Sequence, residues 1–164
     1  FQSVNPLFIV LLAPVVSALW VKLGRSKRGD FSSPTKMAIG MILLGTGFLI
    51  LLIAILRTGN DASAVVNKAH IIFIVLTYLF HTLGELFLSP VGLSTVTRLA
   101  PLKLASLLMG VWLASSGVAN ILAGQLASVT QSLGYFEVFA VIGGLAIALG
   151  LVLLAFSKKL THMM

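Results

Sequence analysis

The chain has 164 residues, of which 59% are hydrophobic and 9% charged, and its mean hydropathy is +1.11. A soluble domain of this size cannot bury so much apolar side chain, so the composition excludes a soluble enzyme, a disordered tail and a secreted disulfide-stabilised module. The chain contains no cysteine, which excludes a disulfide, a thiolate metal site and a cysteine nucleophile.

Five segments are long and apolar enough to cross a membrane, because a helical span needs about 20 mostly apolar residues. They are Val4–Val21, Met37–Leu56, Ala69–Val96, Leu104–Ser128 and Phe136–Phe156. The stretches between them carry turn residues such as Gly, Pro and Asn. We therefore predict an all-α membrane protein. Because the first residue is Phe1 and not Met, we expect residues 1–164 to be one bundle of a longer protein whose N-terminal half is absent.

The net charge of +7 is distributed unevenly along the chain. Each span reverses the side of the membrane, so the connecting segments fall on two faces. One face carries one acid, Asp30, and nine of the eleven basic residues: Lys22, Arg25, Lys27, Arg28, Lys36, Arg98, Lys103, Lys158 and Lys159. Short loops rich in Lys and Arg mark the cytoplasmic side. We expect a plasma-membrane protein, in a bacterial inner membrane, with a cytoplasmic C-terminus and no nucleic-acid partner.

Glu85 is the only acid deep inside a predicted span, and it lies near the middle of the third one. A charge at the bilayer centre costs about 2.5–3.5 kcal/mol on insertion scales, so such a residue usually faces a cavity or a partner. Glu85 either faces a water-filled pathway, where it binds a proton or a cationic group of a substrate, or is a structural residue that fixes helix packing. The first interpretation is favoured. Pro90 predicts a kink just beyond it.

His81 and Ser89 lie four residues on either side of Glu85 and are expected to share its face. A metal site of His81 and Glu85 is disfavoured because no third ligand lies nearby, so we predict neither a metal nor another cofactor. His81 is interpreted as a packing residue or as part of a pathway wall. Ser89 hydrogen-bonds either a ligand or the preceding turn of its own helix.

A second polar stripe runs along the fourth span, where Trp112, Ser116 and Asn120 are spaced by four residues. A Trp with polar neighbours suits the wall of an apolar pocket, and the alternative is a polar contact between helices. The pocket is favoured for Trp112 and the interhelical contact for Asn120, whereas both remain open for Ser116. On the same span, small residues at this spacing predict a close seam with another helix: Ala119, Ala123 and Ala127.

Asn5 lies beside Pro6 at the start of the first span. An amide at a proline break can present a hydrogen-bonding group to a cavity. The alternative is a cap near the outer end of the helix. The residues alone leave both open.

Four strings, in this order, resemble the C-terminal half of the proton-dependent oligopeptide transporter family, within the major facilitator superfamily. They are FQSVNPL at 1–7, GELFLSPVGLS at 84–94, LAP at 99–101 and MGVWLASS at 109–116. The second string is specific, and the resemblance runs over essentially the whole chain. It implies that the five spans correspond to transmembrane helices 8 to 12 of a twelve-helix core.

The resemblance also implies roles for individual residues. Asn5 and Glu85 would hold the α-amino group of a peptide, with Ser89 as a neighbouring contact. Trp112 and Ser116 would line the pocket around a peptide side chain. The groups that hold the peptide carboxylate would lie in the N-terminal half.

These observations predict the C-terminal part of a di-/tripeptide symporter that works by alternating access, with protons as the coupling ion, and not an enzyme. Its partners would be a di- or tripeptide, membrane lipid and the N-terminal half of the same transporter. One alternative is a member of the same family that moves a non-peptide substrate. Another is a membrane interaction module that transports nothing.

Overall fold

The computed structural model describes residues 3–25, 30–58, 70–101 and 103–163. These ranges contain five α-helices and no strand. The helices are α1 (Val4–Gly24), α2 (Ser33–Thr58), α3 (Ile71–Leu99), α4 (Ala105–Leu133) and α5 (Tyr135–Met163). All five are long and apolar enough to cross a membrane. The predicted all-α class with five apolar helices is therefore confirmed.

Most helices extend beyond the predicted spans, because hydropathy marks only the apolar part of a helix. α5, for example, continues past Phe156 through Lys158 and Lys159. α3 runs through Pro90 without ending, so the proline does not break the helix. The expected start of the third span at Ala69 lies outside the described residues, as do the turn that precedes it (59–61) and two basic residues of the predicted cytoplasmic face, Lys27 and Arg28.

α2 is the central helix and packs against α3 on one side and α5 on the other. Glycines allow the backbones to approach closely: a Cβ atom on Gly84 would lie 2.7 Å from the carbonyl oxygen of Gly40. A Cβ atom on Gly45 would likewise lie 2.9 Å from the carbonyl oxygen of Gly143 on α5. In lipid, where burying apolar surface between helices gains little, such close packing is a main source of helix association.

α4 is the peripheral helix and makes only small contacts, with α3 and α5. Apart from Thr130, its described side chains are not buried. No helix in the described ranges covers the predicted small-residue stripe, which is exposed at Ala119, Ala123 and Ala127. The predicted seam is therefore not formed among these five helices. The close seams use glycines of α2, α3 and α5 instead.

A single residue, Gly134, separates α4 from α5. Its φ of 96° lies in the left-handed region that favours glycine, and its N–H donates to the carbonyl of Thr130 (3.0 Å). The sharp turn between these two helices therefore depends on a glycine at position 134, because a residue with a side chain rarely adopts this backbone conformation.

One end of the bundle carries a cluster that joins α1, α2 and α3. Lys36 of α2 pairs with Asp30 (2.5 Å), and its Nζ lies 4.4 Å from the ring centroid of Trp20 on α1. The Trp20 ring also meets Phe31 and Phe87 edge-on, with centroids 6.4 and 4.7 Å away. A cavity of about 490 Å³ opens beside this cluster and reaches Arg98 on α3 and Thr161 on α5. We call this the basic end.

Candidate functional site

The start of α1 meets the middle of α3 through two side chains that are 80 positions apart in the sequence. Asn5 Nδ2 donates a hydrogen bond to Glu85 Oε2 (3.2 Å). Asn5 is the second residue of α1 and Pro6 follows it, which the helix tolerates because the first turn has no intrahelical partner for the missing N–H. The fold thus brings together the amide and the carboxylate that were singled out in the sequence.

A third residue, Thr82, completes this contact and was missed by the sequence analysis. Its Oγ1 donates to Asn5 Oδ1 (2.5 Å), and the side chain is fully buried, with 0% exposure. The only signal in the sequence was a polar residue three positions before Glu85, on the same side of the helix. Threonine is common in membrane helices, so this signal does not stand out.

Glu85 is exposed on an open face of the five helices, although it lies at the middle of an apolar span. Among the described residues its side chain has a neutral amide as its hydrogen-bond partner and no Lys or Arg. A carboxylate has about four acceptor positions, and this bond uses one. The remaining positions can accept hydrogen bonds from a cationic group.

Ser89 lies one helical turn beyond Glu85 and is also exposed. Several hydroxyls nearby, such as those of Ser94 and Thr95, bond back to carbonyls of their own helix. Within the described part of the chain, no such bond is found for Ser89. Its hydroxyl is therefore available on the same open face as Glu85.

Trp112 of α4 packs over Gly92, two turns beyond Glu85 on α3. A methyl group on Gly92 would overlap the six-membered ring of Trp112, so the ring lies directly against the α3 backbone. Ser116 lies one turn further along α4 and is exposed, as is Asn120. Of the predicted wall residues, Trp112 thus lies against α3, two turns beyond Glu85.

The expectation that His81 shares the open face of Glu85 is wrong. The His81 ring lies against the backbone of Gly47 and beside the ring of Phe48, with centroids 4.6 Å apart, both on α2. Its Nε2 is buried and has no partner within the described residues. Four helical residues turn by about 40° beyond a full circle, which is enough to aim His81 at α2 while Glu85 reaches α1. Of its two interpretations, packing fits.

Comparison with known proteins places this geometry in context. The model of the POT family matches residues 1–142. An uncharacterized transporter, YclF, of Bacillus subtilis (strain 168) is 37% identical over the whole chain, and a di-/tripeptide transporter of Lactococcus lactis subsp. lactis (strain IL1403) is 32% identical over the whole chain. The chain covers 32% and 31% of these relatives. It thus spans about a third of the length of the curated relatives that it matches.

Solved structures agree with the family model. A crystal structure of the peptide transporter POT (E310Q mutant) superposes with a TM-score of 0.85 at 38% identity, covering 100% of this chain and 31% of that one. A POT family transporter in complex with 5-aminolevulinic acid gives 0.85 at 35% identity, covering 98% and 31%. The five helices thus adopt part of the major facilitator fold of these neighbours. The chain belongs to the POT family.

Proposed function

We propose that this chain is the C-terminal part of a proton-coupled di-/tripeptide symporter, and that Glu85 binds the α-amino group of the peptide. The observation that carries this proposal is the exposed carboxylate in the middle of a membrane helix, held by the amide of Asn5 (3.2 Å). An acid is costly at this depth unless it faces a cavity or a partner. A ligand ammonium repays that cost, because it is compact, positively charged and donates three hydrogen bonds.

Asn5 and Glu85 have different roles in this scheme. The Asn5 N–H occupies one position on Oε2 and holds the carboxylate towards α1. The rest of the carboxylate receives the ammonium. Ser89 offers a further hydroxyl one turn away, and Trp112 and Ser116 form one wall around a peptide side chain. The groups that bind the peptide carboxylate would come from the N-terminal half, so that each bundle holds one end of the substrate.

The names of similar proteins support an amine-bearing substrate. The Lactococcus relative is a di-/tripeptide transporter, and one structural neighbour holds 5-aminolevulinic acid. Both kinds of ligand carry an amino group and a carboxyl group. A bare anion would be repelled by Glu85, which argues against the anionic members among the alternative substrates. If substitutions of Glu85 had no effect, the alternative of a membrane interaction module that transports nothing would be favoured.

In this proposal, the ion pair between Glu85 and the substrate ammonium also provides the coupling to protons. A protonated Glu85 is neutral and attracts an ammonium much less than the carboxylate does. Binding of a proton would therefore weaken the ion pair with the substrate and favour release. In this scheme the N-terminal and C-terminal bundles rock about the site, and the basic end faces the cytoplasm of a bacterium. Transport of this kind requires no cofactor and involves no covalent chemistry.

The test is uptake of labelled dialanine, driven by a proton gradient, by the full-length transporter in liposomes. We expect Glu85→Gln to lower uptake by at least about tenfold, because the amide is nearly isosteric but loses the charge. Glu137→Gln is the control, since Glu137 is an acid in the first turn of α5, away from the pair. Equal uptake by wild type and Glu85→Gln would remove Glu85 from the site. A folded wild type without any uptake would refute peptide transport.

A further inference from the structure

Beneath the Asn5–Glu85 pair lies a threonine that no solvent or ligand can reach. Thr82 is 0% exposed, and its Oγ1 lies 2.5 Å from Asn5 Oδ1. We propose that Thr82 is a positioning residue that fixes the amide of Asn5 in place, binding its oxygen while its NH₂ group faces Glu85. This inference rests on the proposed function, because it assigns a role within the same site.

The side-chain amide of Asn5 can present either its oxygen or its NH₂ group to Glu85. A carboxylate only accepts hydrogen bonds, so it pairs with an amide only when Nδ2 faces it. In that orientation Oδ1 points the other way, towards the buried side of the contact. The Thr82 hydroxyl supplies the donor that this oxygen needs there. Without the hydroxyl, the amide oxygen would lose its partner and the amide would no longer be held against α3.

The three residues form a directed chain of hydrogen bonds. The Thr82 hydroxyl donates to Asn5 Oδ1, and Asn5 Nδ2 donates to Glu85 Oε2. Bonds aligned in one direction polarise and strengthen one another. Thr82 and Glu85 are three residues apart, so both face α1 and bracket the amide from one helix. Thr82 thus acts on the ligand through Asn5 and Glu85, without touching it.

Another threonine of α3 provides a matched control. Thr77 is also buried, with 8% exposure, and its Oγ1 points to the carbonyl of Gly47 on α2 at 3.4 Å. It shares the helix, the residue type and the burial of Thr82, but not the contact with Asn5. Removing its hydroxyl should perturb the packing of α3 without releasing the amide of Asn5.

The experiment measures KM and kcat for dialanine uptake by the full-length transporter in liposomes. Thr82→Val replaces the hydroxyl by a methyl group of similar size, and we expect KM to rise about three- to tenfold, the effect of one lost hydrogen bond. Thr82→Ser keeps the hydroxyl and should restore a KM within about twofold of the wild type. Thr77→Val should leave KM within the same range.

Folding is checked by elution as a single species in detergent. If Thr82→Val fails to fold, Thr82→Ala and Thr82→Ser still differ by one hydroxyl, and the alanine variant should show the higher KM. An unchanged KM in Thr82→Val, no rescue by Thr82→Ser, or an equal rise in Thr77→Val would overturn the inference.

Wild type and Glu85→Gln in the same assay separate the two proposals. Loss of uptake in Glu85→Gln with an unchanged KM in Thr82→Val refutes only the role of Thr82. A wild type without uptake, or a Glu85→Gln variant that transports normally, refutes the proposed function and this inference with it.

Discussion

The carboxylate of Glu85 is held by a neutral partner rather than by a positive charge. An Arg or Lys in place of Asn5 would form an ion pair and compete with any cationic ligand for the same oxygens. The Asn5 amide instead fixes the side chain with one bond at 3.2 Å and leaves its charge uncompensated among the described residues. Holding a charge without neutralising it is what a binding site for an ammonium group requires.

Residue-level prediction has a clear signal where chemistry is visible in one position, and it fails where a role depends on a distant contact. Glu85 stands out as the one acid near the middle of an apolar span. Asn5 could be assigned to it only through the family resemblance, and Thr82 was missed because its role comes from a contact with a residue 77 positions away. His81 was misplaced because a small rotation along α3 changes the helix that it faces.

The contact between Trp112 and Gly92 can be tested with paired glycine variants. Gly92→Ala should displace the Trp112 ring, since the added methyl group would overlap it. We expect KM for dipeptides with bulky side chains to change by about threefold or more, relative to KM for dialanine. Gly110→Ala on α4 should change neither, because a Cβ there meets nothing within 4 Å among the described residues. An unchanged ratio in Gly92→Ala would remove Trp112 from the pocket wall.

At the scale of the helices, packing is uneven. α2 packs closely between α3 and α5 at glycine contacts, whereas α4 makes few contacts with its neighbours. The sequence pattern pointed to the alanine stripe of α4 because its spacing is regular. The seams that form are instead set by which faces meet: Gly40 faces Gly84, and Gly45 faces Gly143. Spacing along one helix cannot reveal the partner of that face.

Two adjacent glycines of α5 test this packing directly. A Cβ at Gly143 would lie 2.8 Å from the Cβ of Phe48 on α2, whereas one at Gly144 meets nothing within 4 Å in the part of the chain that is described. Gly143→Ala should destabilise the bundle by about 1–3 kcal/mol, the usual cost of overpacking. Thermal unfolding of the purified transporter should show a lower melting temperature for Gly143→Ala than for Gly144→Ala. Equal melting temperatures would mean that the contact between α2 and α5 accommodates the added methyl group without loss of stability.

For the whole molecule, basic residues that lie far apart in the sequence, such as Lys36 and Arg98, meet at one end of the bundle. The cavity beside Arg98 is lined by the start of α2 and the ends of α3 and α5, so segments far apart in the sequence meet there. Lys36, Asp30 and Trp20 join α1 and α2 at the same end. The cytoplasmic orientation of this end is a prediction from the distribution of Lys and Arg.

The absence of cysteine from the chain makes the orientation testable by labelling. We expect a membrane-impermeant maleimide to label Ser132→Cys, near the α4–α5 connection, in intact cells. Lys159→Cys, at the basic end, should react only after the membrane is permeabilised. The parent transporter without either substitution measures the background. Labelling of Lys159→Cys alone in intact cells would reverse the proposed topology.

The sequence by itself determined the class of this protein, its five apolar helices and the charge difference between their ends. Each of these depends on properties summed along one segment, namely the length and hydropathy of a span and the charge of a loop, which need no partner. Tertiary structure decided that Asn5, Thr82 and Glu85 form one hydrogen-bonded chain, that His81 turns to α2 and that glycines make the seams. Those outcomes depend on the direction in which each helix presents its side chains and on the neighbour that it meets, and both are settled only when the helices pack.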